Sequence, residues 1–179
     1  MRVIKKGDHW DRLRVVTGGT LVVAASKLSE HEWAPFGWLP VADVDPRDGS
    51  STLAYAWGDP HLNIIAHTYE EIDHVEEGAI VGQMFRHETH TQALMPLNVP
   101  AIIAVAPPGY VFSDASDLGA IRAFLLQPQD CLVLHQATWH WGPFPLAGEP
   151  VRLLNVQGLR YAEDNGSVDI AALGRVVVA

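Results

Sequence analysis

Cysteine is almost missing. Cys131 is the only one in 179 residues, so no intrachain disulfide can form and any zinc site built from cysteines is excluded. It stands in the apolar run 131–134, where a buried, inert thiol in a reducing compartment is expected. Positive charge is scarce too: 12 Lys+Arg against 21 Asp+Glu leave a formal net charge of -9. A phosphate backbone or an anionic lipid surface calls for a basic patch, so neither nucleic acid nor membrane is expected as the main partner. No apolar run approaches the roughly 20 residues of a membrane helix, and the N-terminal stretch around Lys5 and Lys6 lacks the apolar centre of a secretory leader. P-loop, GxGxxG, HExxH and nucleophile-elbow patterns are all missing, so nucleophilic catalysis has no positive signal. These absences point to a cytoplasmic protein whose partner is a small molecule.

What is present is a large apolar fraction, 48% of the chain, cut into short pieces. One domain spanning 1–179 is expected, since the length suits one sizeable core rather than two. Residues 1–27 read as an N-terminal extension or edge strand, with the first clear strand at 20–26. Ser29-Glu30-His31-Glu32 has capping-box spacing, and Pro35 and Gly37 stop the resulting helix within about two turns. From Gly37 onward the pattern becomes apolar or alternating, which predicts strands at 52–57, 62–67, 80–85, 91–96, 101–106, 121–126, 130–134 and 152–157. Asp114-Ala115-Ser116-Asp117 reads as a single turn of helix outside the sheet, and Ser167 or Asp169 as the cap of a last helix ending at Leu173. Residues 70–77 are acidic and read as a solvated connection. Short, evenly spaced strands with no βαβ alternation predict an all-β barrel or sandwich.

Two polar clusters lie beside predicted strands: Arg86-His87-Glu88-Thr89-His90-Thr91-Gln92, and His135-Gln136-Ala137-Thr138-Trp139-His140-Trp141. If 91–96 is extended, Gln92, Leu94 and Pro96 share one face, and Gln92 points into a barrel. The histidines at 9, 31, 61, 67 and 74 are scattered and read as ordinary surface or core residues. His87, His90, His135 and His140 differ because they sit at strand ends from which side chains can converge. His87, Gln92 and His140 offer two nitrogens and an amide oxygen to a divalent metal; a hydrogen-bonded pocket without an ion is the alternative. Arg86 and Arg122, set among apolar neighbours, each need a carboxylate, from the protein or from a ligand. Trp139, Trp141 and Phe144 suit a dry pocket wall or a core.

The segment Arg86-His87 with Thr91-Gln92-Ala93-Leu94-Met95-Pro96-Leu97, then Leu118-Gly119-Ala120-Ile121-Arg122-Ala123-Phe124, then His135 through His140-Trp141-Gly142-Pro143 resembles the ureidoglycolate lyase family. The run Leu28 to Gly37 is similar to that family's N-terminal helix. The resemblance implies a cupin-like double-stranded β-barrel, or jelly roll, with a few short peripheral helices, usually paired as a homodimer. It implies cleavage of ureidoglycolate to glyoxylate and urea in allantoin and purine catabolism, with a divalent metal such as nickel, zinc or manganese as the possible cofactor.

The residues carried across by the motifs are His87, Gln92, Arg122 and His140, with His135 beside them. The expected roles are His140 as base and His87 as metal ligand or acid, with metal held by His87, Gln92 and His140. Arg86, Arg122, His135 and Trp139 are expected on the substrate. The chain departs from the ordinary metal-binding cupin pattern at Phe85, where that pattern has its first histidine, and at Gln92, where it has glutamate. A cupin that binds a small carboxylate without catalysis, or another metal-dependent cupin enzyme acting on a related hydroxy acid, remains the rival reading.

Overall fold

The run Ala101–Ala106 is apolar at every position and buried at every position, and the two larger cores among the described residues form on its two faces. A strand can be apolar throughout only when both of its faces are covered. Ile103 and Val105 project to one side, into a core with Leu94, Phe124, Leu126, Leu132, Leu134, Trp33 and Phe36. Ile102, Ala104 and Ala106 project to the other, into a core with Val81, Met84, Ile121, Ile170, Val176 and Val178. The computed structural model describes residues 14–17, 19–56 and 58–179.

Three sheets account for this. The middle sheet runs in the order Asn165–Asp169, Gln83–His87, Trp139–Pro145, Ala101–Ala106, Arg122–Leu126, Ser26–Lys27. A second sheet faces it, in the order Gly37–Trp38, Leu132–Leu134, Gln92–Pro96, Val151–Gly158, Pro60–His67. The third, Arg14–Thr17, Thr20–Val23, Arg175–Val178, Gly78–Ile80, His74–Val75, closes the far face of the middle sheet. Pairing is antiparallel except between Ser26–Lys27 and Arg122–Leu126 and between Arg175–Val178 and Thr20–Val23, which run parallel. The protein is therefore all-β with a few short helices, a jelly-roll-like sandwich whose strands, among the described residues, do not close into a continuous barrel.

Several elements differ from expectation for identifiable reasons. The helix beginning after Ser29 has one turn, Glu30–Trp33; the Ser29 hydroxyl accepts from the Glu32 amide at 3.4 Å. The expected strand 80–85 is two strands, because the chain leaves the third sheet after Ile80 and joins the middle sheet at Gln83. In the expected strand 52–57, Ser51–Leu53 forms a 3-10 turn and residues 54–56 stay irregular, while Trp57 lies outside the described residues. Asn165–Asp169 is a strand, and Asp169 then accepts from the Ala172 amide at 3.0 Å across a single turn in place of the expected helix. Of the N-terminal arm, residues 1–13 and 18 lie outside the described residues.

The polar cluster 135–141, expected to follow a strand, runs from Trp139 into a strand of its own, Trp139–Pro145. Its two prolines are accommodated by a register shift against Ala101–Ala106 between Ile102 and Ala104. Gly142 makes that bulge with a φ of +85°, and a Cβ there would stand 2.9 Å from the Ile102 carbonyl oxygen.

Candidate active site

Register places the histidines. His140 lies directly opposite Val105 on one side and Phe85 on the other. Directly opposed residues share a face, so Phe85 and, two residues on, His87 project with His140 towards the second sheet. Trp139 and Trp141 alternate to the outer core. From the second sheet Gln92, opposite Leu134, projects back towards them. Its Nε2 donates to Asn155 Oδ1 at 2.8 Å and to Gln157 Oε1 at 3.2 Å, and Asn155 Nδ2 donates to Asn63 Oδ1 at 2.8 Å. The space between the two sheets thus has an apolar end around Leu94 and Ile103 and a polar end of amides and imidazoles.

A cavity of about 660 Å³ opens at that polar end, walled by Phe85, His87, Gln92, His140, Gln157 and Tyr161, with Trp141 and Phe144 at its side and Glu71, Asp73 and Asp169 further out. No lysine or arginine among the described residues lines it. His87 and His140 meet there with ring centroids 5.4 Å apart. The His140 Nδ1 lies 3.1 Å from the Thr138 carbonyl oxygen. A carbonyl can only accept, so Nδ1 carries the proton and Nε2 keeps its lone pair. Burial, with a smaller push from His90, brings His140 down to about 4 against the opposing pull of the Thr138 carbonyl. Burial, then the neighbouring His140 and His90, push His87 down to about 3. Both rings are neutral at pH 7, the form in which imidazole accepts a proton or binds a metal.

Behind His87 lies a second imidazole. His90 stacks on it at 4.3 Å and 23°, and His90 Nδ1 sits 2.8 Å from Asp164 Oδ2. The Thr89 amide donates to both Asp164 oxygens, at 3.1 and 3.0 Å. Burial raises the Asp164 carboxyl, but these bonds and the two histidines outweigh it and hold the group below the usual carboxylate range. Ligand atoms of His87, His90 and Asp164 all lie within 4.8 Å of one another. Of the five buried side-chain polar atoms without a hydrogen-bond partner among the described residues, three are His87 Nδ1, His90 Nε2 and Gln92 Oε1. Buried polar atoms are nearly always paired, and imidazole and amide donors suit divalent first-row metals. The residues present therefore fit a metal.

The structure brings together His87, Gln92 and His140 as expected, and sets the other expected site residues elsewhere. Arg86 is occupied: its Nη2 pairs with Glu88 Oε1 at 2.6 Å and its guanidinium lies 4.4 Å over the Trp139 ring. Arg122 Nη1 donates to the Gly119 and Ile121 carbonyls at 2.9 and 3.0 Å and borders a separate cavity with Phe36 and Tyr110. Trp139 Nε1 donates to the Tyr110 carbonyl at 2.7 Å. The His135 ring is half-buried and, like these three, does not line the cavity of His87 and His140.

Asp164, Asn63, Asn155 and Gln157 were not anticipated. The alternation of Asn155 and Gln157 inside an otherwise apolar strand was a usable signal for a polar inner face. Asp164 had none, since it lies in a turn 75 residues from its partner Thr89.

A search of curated proteins returned no match. A family model, Ureidoglycolate lyase, matches residues 52–172, a span that contains His87, His90, Gln92, His140 and Asp164. With two thirds of its length under that model and its histidines gathered in one cavity, the chain belongs to the ureidoglycolate lyase family, the enzymes that cleave ureidoglycolate in purine catabolism.

Proposed function

We propose that the cavity shared by His87 and His140 is where this chain splits ureidoglycolate into glyoxylate and urea, with His140 as the base. The observation that carries the reading is the meeting of those two rings, 5.4 Å apart, from strands more than fifty positions apart in the chain. His140 presents an unprotonated Nε2, fixed by the Thr138 carbonyl on its other side. Nε2 takes the proton of the substrate's carbinol hydroxyl, the C–O bond becomes the aldehyde carbonyl, and the C–N bond breaks towards the urea nitrogen. That nitrogen takes the proton back from His140, so no water is consumed and no net charge is left on the enzyme. His87, neutral at working pH, is a lone-pair donor and serves as ligand rather than acid.

The substrate is an anion, yet among the described residues the cavity offers it neither arginine nor lysine. Side-chain amides of Asn63, Gln157 and Asn165, which line the same wall, are the available neutral donors. A divalent ion, nickel, zinc or manganese, when bound would hold the carboxylate and acidify the hydroxyl. We place the protein in the cytoplasm as a homodimer, paired through the outer face of Pro60–His67. Leu62 and Ile64, 64% and 54% exposed, stand two residues apart on that face and together make an apolar patch that a second copy would cover.

The test is direct. Purified protein incubated with ureidoglycolate, with and without chelator, is expected to release glyoxylate and urea in equal amounts. His140→Ala is expected to lower turnover by about 10²- to 10⁴-fold with an unchanged circular dichroism spectrum. Turnover within a few-fold of wild type in that variant would reject the assignment of the base.

A further inference from the structure

Of the stacked and tilted trio His87, His90 and His140, His90 is the one that neither lines the cavity nor enters the mechanism, and its ring is held by a carboxylate. Its ring is 4% exposed. Asp164 holds Nδ1 at 2.8 Å, and Asp164 is in turn gripped by the Thr89 amide through both oxygens. Gly158 leaves room for the ring, since a Cβ there would stand 3.1 Å from His90 Nδ1. Such support fixes tautomer and orientation: with Nδ1–H given to the carboxylate, Nε2 is left with a lone pair. That Nε2 is buried and has no hydrogen-bond partner among the described residues. The same is true of His87 Nδ1 and Gln92 Oε1 beside it. A carboxylate that orients an imidazole so that its other nitrogen faces a cation is a recurrent arrangement around metals.

We propose that His87, His90 and Gln92 form the ligand set for a divalent first-row metal ion in this chain, with Asp164 as the positioning residue for His90. This deepens the reading of the site given above and rests on it. It also separates two roles that the sequence assigned to one residue: His140 is released from coordination and left to move the proton, while His90 takes its place among the ligands. Of these residues His87 lines the cavity, whereas His90 and Asp164 do not, so His87 would be the ligand shared between the ion and the substrate pocket.

The experiment titrates Ni²⁺ and Zn²⁺ into the metal-stripped full chain by calorimetry, with bound metal counted by elemental analysis and the Ni²⁺ or Co²⁺ absorption spectrum recorded. Wild type is expected to take one ion per chain. His90→Ala is expected to lose affinity by at least about 100-fold, and Asp164→Asn by about 10- to 100-fold with the stoichiometry kept. His140→Ala is expected to bind within about two-fold of wild type, and so is His31→Ala, which removes an exposed imidazole that does not line the cavity.

Should His90→Ala fail to fold, as judged by thermal unfolding, Asp164→Asn and His140→Ala carry the test, because the first keeps a side chain able to accept from Nδ1. Wild type taking no ion overturns the proposal. So does an Asp164→Asn affinity equal to wild type, or a loss in His140→Ala as large as that expected for His90→Ala. The two readings fail separately. Glyoxylate release by a chain that binds no metal sinks the ligand set alone, whereas stoichiometric metal binding without ureidoglycolate cleavage sinks the function and leaves the ligand set standing.

Discussion

His87 and His140 are costly residues to bury, and their cost has a sign that can be measured. Each carries an ordinary value of 6.5 when unfolded and is pushed down in the fold, to about 3 for His87 and about 4 for His140, chiefly by burial. Between those values and 6.5 the unfolded chain binds more protons than the native one, so stability rises with pH across that window and is fully present above it. We expect the unfolding free energy of chelator-treated protein, read from denaturant titrations, to fall as pH drops from 6.5 to 4, by on the order of 1 kcal/mol per pH unit for each ring. The double variant His87→Gln, His140→Gln should flatten that slope; an unaltered slope would mean the two rings are not buried neutral. The histidines at 87, 90, 135 and 140 stood out in the chain because they cluster at strand ends, and of these His135 does not line the cavity. Arg86 and Arg122 stood out equally and proved occupied, by Glu88 and Trp139 and by the carbonyls of Gly119 and Ile121. A sequence shows that a guanidinium needs a partner, not which partner reaches it first.

At the scale of elements, Ala101–Ala106 was legible to the residue because an apolar run of that length has one physical use, as a strand covered on both faces. Truncating Ile103→Ala opens a cavity between the middle and second sheets, and we expect a loss of about 2–5 kcal/mol in denaturant unfolding. A loss under about 1 kcal/mol would show that this core is not shared by the two sheets. Gly37 makes a second, sharper case. A Cβ there would fall 1.7 Å from the Val133 carbonyl oxygen, and Trp33 Nε1 donates to that same oxygen at 3.1 Å. Gly37→Ala is expected to separate Gly37–Trp38 from Leu132–Leu134 and to shift the near-ultraviolet signal of Trp33; a variant with wild-type Tm and spectrum would refute the close approach. Trp139–Pro145 escaped sequence reading for a definite reason. Two prolines and a glycine are strand breakers in isolation, and only the bulge against Ala101–Ala106 lets them stay in the sheet.

For the whole molecule, the exposed Leu62 and Ile64 lie on the outer face of a strand at the edge of the second sheet, opposite Val156 and Leu154. Light scattering is expected to give twice the chain mass for wild type and the single-chain mass for the double variant Leu62→Glu, Ile64→Glu. A wild-type monomer, or a variant that keeps the doubled mass, would remove this face as the interface. The all-β class, the strand-rich order and the lyase family were determined by the sequence alone, because periodicity, turn residues and a spaced motif are properties of neighbours along the chain. Which polar side chains share a site was decided only in three dimensions. His140 joins His87 through the pairing of Trp139–Pro145 with Gln83–His87, and Asp164 reaches His90 from a distant turn. No local pattern encodes either meeting, since cross-strand register is fixed by the burial of both cores at once.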